Sequence, residues 1–91
     1  MAAYIVTYDL NNPGKDYNEL YETIKNSCSW YCHYLDSVWV IKSNLTAQQI
    51  SDKLIPVIDK NDYLLVIEVI NNKQGWLPKK AWDCLNNHIF V

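Results

Sequence analysis

The hydrophobic pattern of this 91-residue chain changes its period several times, and the order of these changes restricts the fold to few architectures. A run of β-branched and aromatic residues predicts a first strand over residues 4–8. Apolar residues at helical spacing then predict a helix. They are Tyr17, Leu20, Tyr21, Ile24 and Cys28. We expect Asp16 to cap this helix, with Glu19 completing a capping box.

The middle of the chain repeats this alternation. Segments 30–34 and 38–41 predict a pair of strands, joined by a turn at Asp36-Ser37. Thr46 and Gln49 then form a second capping box ahead of another apolar helical stripe. We expect this helix to break or kink near Leu54–Ile55, because Pro56 removes a helix hydrogen bond and clashes with the preceding turn.

A fourth strand over 63–70 and a short helix after Pro78 complete the order β-α-β-β-α-β plus a C-terminal helix. Two right-handed crossovers in this order give the α+β ferredoxin-like fold, a four-stranded antiparallel sheet with two helices on one face. We therefore expect a single domain over 1–91. Residues 75–91 form a C-terminal extension that packs on the sheet or on a dimer mate, with Ala81, Trp82 and Leu85 facing inward.

Both faces of the predicted sheet are apolar. In the first strand Ile5, Thr7 and Asp9 share one face, while Tyr4, Val6 and Tyr8 occupy the other. Two helices cover only one face, and an uncovered face of this kind promotes association. We therefore predict a homodimer packed sheet to sheet, with the C-terminal segment contributing to the cover.

Charge and segment lengths exclude several classes of function. The net charge is −2 and all eight basic residues are lysine, which disfavours a nucleic-acid partner because arginine is the usual bidentate reader of phosphate and guanine. No apolar run approaches the ~20 residues of a membrane helix. With no visible signal peptide, a cytoplasmic location is expected.

The cysteines and histidines offer the ligand types of a metal site. They are Cys28, Cys32, His33, Cys84 and His88. Their spacing lies outside the tight patterns of zinc sites, and burial as small apolar residues is sufficient for the cysteines. Because three is an odd number and the spacing is irregular, we expect reduced thiols rather than a disulfide framework.

Asp9 is the most suggestive candidate for chemistry. A carboxylate at the end of a strand, followed by the loop Asn11–Gly14, is well placed to hold Mg²⁺. One carboxylate is too few for a metal site, but a two-fold axis would turn it into a pair. The alternative is that Asp9 ends the strand and accepts backbone hydrogen bonds from the loop.

The aromatic residues allow two interpretations. Ferredoxin-like sheets can stack RNA bases on exposed rings, but a net acidic chain with scattered lysines favours core and interface packing. The rings concerned are Tyr4, Tyr8, Tyr31, Tyr34 and Trp39. Trp76, beside Lys79 and Lys80, could anchor a partner. We expect it instead to fold the tail back over the sheet.

The chain resembles the SinR-like proteins, small relatives of the CRISPR-associated Cas-two endonucleases and, more distantly, of virulence-associated protein D. The resemblance covers nearly the whole chain. It rests on the opening strand Tyr4-Ile5-Val6-Thr7-Tyr8-Asp9-Leu10, on His33-Tyr34-Leu35-Asp36-Ser37-Val38-Trp39, on Asp62-Tyr63-Leu64-Leu65-Val66-Ile67-Glu68-Val69 and on the tail Gly75-Trp76-Leu77-Pro78.

This resemblance implies a homodimer in which the aspartate that closes the first strand faces its dimer mate. In the Cas-two family that residue is linked to Mg²⁺-dependent cleavage of RNA or DNA phosphodiesters, and Asp9 occupies its position. The further candidates for ligand or interface contacts are Tyr8, Asn11, Asn12, His33, Trp39 and Trp76. The alternative function is a non-catalytic homo-oligomeric module that sequesters a small nucleotide or contacts a protein in phage–host defence, which the missing arginine favours.

Overall fold

The secondary structure follows the predicted order. A computed structural model describes residues 1–91. The strands are β1 (Ala2–Asp9), β2 (Trp30–Leu35), β3 (Val38–Ser43) and β4 (Tyr63–Val69), and the helices are α1 (Asn18–Asn26), α2 (Ala47–Leu54) and α3 (Lys79–Cys84). None of these helices is both long enough and apolar enough to span a bilayer.

The four strands form one sheet in the order β2-β3-β1-β4, and every neighbouring pair is antiparallel. β3 lies between β1 and β2, and β1 lies between β3 and β4. The two β-α-β units are therefore interlocked, as in a ferredoxin-like arrangement. The predicted α+β fold is confirmed.

Helices α1 and α2 cover one face of the sheet. The core between these layers consists of alternate residues of β1 and β3 and the inner stripes of both helices. Its members are Tyr4, Val6, Tyr8, Tyr17, Leu20, Ile24, Trp39, Ile41, Ile50 and Leu54. The period-two and period-3.6 patterns of the sequence thus meet in a single apolar layer.

Of the two predicted capping boxes, the one at α2 forms and the one at α1 does not. Thr46 and Gln49 form both bonds of the predicted capping box at the start of α2. The box at α1 does not form: the helix begins at Asn18, and Asp16 Oδ1 accepts a hydrogen bond from the Asn18 N–H at 3.0 Å. Glu19 is therefore not in register to reach back to a capping residue.

Pro56 ends the second helix as predicted. α2 stops at Leu54, and a single 3₁₀ turn over Ile55–Val57 follows, with the proline in its first turn. Proline is tolerated there because its missing N–H would have no intrahelical acceptor.

The C-terminal segment covers part of the opposite face of the sheet. α3 continues into a π-helical turn, Leu85–Ile89, and a second small core forms beneath it. Its buried members are Ala3, Cys32, Leu85 and Ile89. Ala81 and Leu85 are buried and Trp82 is half-buried, so the predicted inward face is confirmed.

A disulfide fastens this segment to the sheet. Cys32 on β2 and Cys84 at the end of α3 are bonded, with their Cα atoms 6.1 Å apart. The expectation of three reduced thiols is therefore wrong, and only Cys28 remains free. A sequence separation of 52 residues gave no local signal for the pairing; it depends on the C-terminal helix crossing β2.

The rest of this face is uncovered. We call it the open strip; it comprises the cross-strand pairs Ile5–Ile67, Thr7–Leu65 and Asp9–Tyr63 of β1 and β4. Leu65 and Ile67 are 54% and 49% exposed. Trp76 does not fold back over the sheet as expected, because it is 99% exposed and Leu77 packs against the second core in its place.

Candidate functional site

Asp9 lies at one end of the open strip. It is exposed, and it faces the same side of the sheet as Ile5 and Thr7, as the strand pattern predicted. Neither ion pair of the chain involves its carboxylate, and the side-chain hydrogen bond at this residue goes to its backbone carbonyl, from the Asn11 amide at 3.5 Å. A shallow depression of about 260 Å³ adjoins it, lined by β1 and β4 residues. The carboxylate is thus free to meet an outside group.

The residues around Asp9 do not form a metal site within one chain. No group of three or more histidine, cysteine, aspartate or glutamate side chains in the molecule could hold an ion. Mg²⁺ keeps several waters and is usually held by one or two carboxylates together with substrate phosphates. Asp9 therefore fits such an ion only together with groups from outside this chain, such as a second carboxylate from another copy or the phosphates of a substrate.

Asn11 and Asn12 are occupied by another network. The Asn11 N–H donates to Asp62 Oδ1 at 2.7 Å, and the Asn12 side-chain amide donates to Asp59 Oδ2 at 3.2 Å. These bonds tie the loop after β1 to the turn before β4. The two asparagines therefore fix the path of the chain beyond Asp9 and do not turn towards its carboxylate.

Tyr8 and Trp39 belong to the core. Both are buried, and the Trp39 indole N–H donates to the Tyr8 hydroxyl at 2.9 Å. His33 is exposed and stacks on Trp39, with ring centroids 3.9 Å apart. All three lie on the helix-covered side, since Tyr8 and Trp39 belong to the core beneath the helices and His33 stacks on Trp39, so the structure does not bring them to Asp9.

The cysteine and histidine candidates are divided between different contacts. The disulfide removes Cys32 and Cys84 as thiol ligands, and His88 stacks on Trp30 with centroids 3.9 Å apart. Burial raises the pKa of the Cys28 thiol to about 11, against a backbone hydrogen bond from Trp30 that lowers it. Cys28 is therefore a protonated, weakly nucleophilic thiol at neutral pH.

A second candidate site lies at the β2 edge of the sheet. We call it the C-terminal groove, a cavity of about 650 Å³ between the end of α1, β2 and the C-terminal helix. Its lining residues are Lys25, Cys28, Ser29, Trp30, Tyr31, Tyr34, Lys80, Asp83, Cys84, Asn87 and His88. Cys84 is part of its wall, so the disulfide that ties the C-terminal helix to β2 also fixes one wall of this cavity.

The groove combines exposed rings with a free cation. Tyr31 and Tyr34 are 40% and 47% exposed. Asp83 is bound to Lys79 at 2.8 Å, a bond that raises the pKa of Lys79, whereas Lys80 takes part in neither ion pair of the chain. Such a surface suits a planar ligand that carries negative charge.

The sequence contains one local pattern for this groove, which the spacing of metal-ligand and catalytic motifs does not include. Lys80, Cys84 and Asn87 recur at i, i+4 and i+7 on the C-terminal helix, which makes them one face. Only the disulfide, however, decides that this face meets Tyr31 across the groove. No local pattern therefore connects Lys80 with β2.

Comparison with models of known families, with curated proteins and with solved structures found no match for this chain.

Proposed function

We propose that the protein acts as a homodimer joined through the open strip. The strip is supported as an interface by its composition: Ile5, Leu65 and Ile67 form a contiguous apolar surface that the C-terminal segment leaves uncovered. A patch of this kind on a small domain marks an association site, and a two-fold axis places the same patch on both partners. The resemblance to Cas-two proteins implies the same assembly.

We propose further that the two Asp9 carboxylates of this dimer hold Mg²⁺ and that the dimer cleaves phosphodiesters of RNA or DNA. The observation that carries this proposal is the exposed, unpaired carboxylate of Asp9 at the end of the open strip. An ion there would polarise the phosphate and supply a bound water. The protein's own contribution is to place two acidic groups on a rigid sheet.

The test compares Asp9→Asn with a matched variant, Asp52→Asn, whose aspartate lies on the outer surface of α2. Each protein is incubated with labelled RNA and DNA in Mg²⁺ or Mn²⁺. We expect cleavage by the wild type and by Asp52→Asn, and none by Asp9→Asn. Equal cleavage by all three proteins, or none by any, would overturn the catalytic proposal.

The second candidate function is a non-catalytic module that sequesters a small nucleotide or contacts a protein. Two observations favour it: each chain contributes a single carboxylate at the strip, and no arginine is present to hold a nucleic-acid backbone. A thermal-shift screen against nucleotides tests it. A rise in Tm that grows with ligand concentration supports binding, and no rise at millimolar ligand counts against it.

We propose that the protein works in the cytoplasm, whichever of the two functions it has. Reducing compartments keep cysteines as thiols, so Cys32 and Cys84 would both be reduced there. The disulfide between them would form under oxidising conditions. The two redox forms would differ in how firmly the C-terminal helix covers the sheet.

A further inference from the structure

The C-terminal groove has features that packing of this chain does not explain. Trp30 stacks on His88 and the Tyr31 ring packs against Trp39 with centroids 5.3 Å apart, but Tyr31 and Tyr34 both line the cavity and remain exposed. In a groove they supply flat surfaces on which a planar ligand can stack.

Two lysines line the groove, one from α1 and one from the C-terminal helix. Lys25 Nζ lies 5.7 Å from the centre of the Tyr31 ring, and its ion pair with Glu22, at 3.5 Å, is solvent-exposed and therefore weak. Lys80 enters from the opposite wall and has no acidic partner. Asp83, the carboxylate that lines the groove, is paired with Lys79 at 2.8 Å; this pair is also solvent-exposed and offsets its negative charge only in part.

We propose that the C-terminal groove binds a nucleoside phosphate, with the base stacked on Tyr31 or Tyr34 and the phosphate between Lys25 and Lys80. The volume of about 650 Å³ lies within the usual range for small-molecule sites. This inference rests on the second candidate function and gives it a location. It requires neither Asp9 nor the dimer.

The experiment is a ¹H–¹⁵N NMR titration of the oxidised protein with adenosine 5′-monophosphate. Adenosine and inorganic phosphate, titrated separately, measure the contributions of ring and charge. We expect the monophosphate to bind more tightly than either, and to shift the amides of 30–34 and 80–88. Binding by phosphate alone that equals that of the monophosphate would overturn the stacking part of the site, and therefore the proposal.

Variants separate the groove from other binding sites. Lys80→Ala removes the unpaired cation and should weaken binding about tenfold, the effect of losing one charge-assisted contact. Lys60→Ala makes the same change of net charge in the exposed loop before β4 and should leave affinity unchanged. Tyr31→Leu and Tyr34→Leu are made separately; the variant that loses the stacking ring should have lower affinity for the monophosphate and unaltered affinity for phosphate, and no loss in either variant would overturn the proposal.

The outcomes distinguish this inference from the function on which it depends. If the nucleotide binds but shifts residues outside the groove, or binds Lys80→Ala as well as the wild type, the groove is wrong and the binding function stands. If no nucleotide perturbs any amide at millimolar concentration, both are wrong.

Discussion

At the scale of single residues, Asp62 is the side chain with the most hydrogen bonds. Its carboxylate accepts from the N–H groups of Asn11 and Asp59 and from the Tyr17 hydroxyl, all within 3.0 Å. Burial alone would raise its pKa, but these donors outweigh burial and hold the pKa below its ordinary value. The charged form therefore joins the loop after β1 to the turn before β4.

Because the pKa of Asp62 is lowered in the folded state, the free energy of unfolding depends on pH. Because the folded state holds the carboxylate more strongly ionised than the unfolded chain, its contribution is complete above the ordinary pKa of 3.8 and is lost as pH falls through the lower folded pKa. Urea unfolding from pH 6 downwards should show a falling midpoint. In Asp62→Asn the midpoint should start lower at pH 6 and lose that part of the pH dependence.

Tyr17→Phe isolates the side-chain donor of the same network. Removing the hydroxyl leaves the buried carboxylate with its two backbone donors, so we expect Tm to fall by about 5–10 °C. Tyr34→Phe, at an exposed tyrosine outside the open strip, serves as the matched control and should leave Tm unchanged. An equal fall in both variants would show that the hydrogen bond to Asp62 is not the cause.

Sequence reasoning reached some of these residues and not others. Alternation along β1 was enough to place Asp9 on the face opposite Tyr8, since the period of a strand is fixed. It could not identify Asp62 as a hub, because two of its three partners, Tyr17 and Asn11, are 45 and 51 positions away. Trp76 was misplaced for a related reason: a single tryptophan carries no period.

At the scale of elements, the start of α2 depends on the capping box of Thr46 and Gln49, two residues that are close in the sequence. Thr46→Ala removes the bond from the Gln49 N–H to Thr46 Oγ1, 3.1 Å long, and should cost about 1 kcal/mol in the free energy of unfolding. Thr46→Ser keeps the acceptor. If chemical denaturation gave the two variants equal stability, the capping bond would contribute nothing.

The C-terminal helix depends instead on a long-range bond. The Cys32–Cys84 disulfide spans 52 residues, and the chain-entropy model assigns such a loop about 4 kcal/mol. We expect the double variant Cys32→Ala/Cys84→Ala to lose stability on that order by chemical denaturation and to respond no further to reductant. Cys28→Ala should keep the response of the wild type. Insensitivity of the wild type to reductant would contradict the bond.

At the scale of the whole molecule, the helix-covered core and the ferredoxin-like order followed from hydrophobic period alone. The partial cover of the second face also followed, because an apolar face and an apolar tail in one short chain have to meet. The C-terminal groove did not follow. It arises where α1, β2 and the C-terminal helix approach one another, and no local pattern encodes that approach.

The open strip is the feature on which the proposed assembly depends. Sedimentation velocity at micromolar concentration tests it with two matched substitutions: Ile67→Lys within the strip, and Ile55→Lys at an equally exposed isoleucine in the 3₁₀ turn after α2. We predict a dimer for the wild type and for Ile55→Lys, and a monomer for Ile67→Lys, since a buried lysine in the interface would be unpaired. A monomeric wild type, or an Ile67→Lys variant that remains dimeric, would contradict the proposed dimer through the open strip.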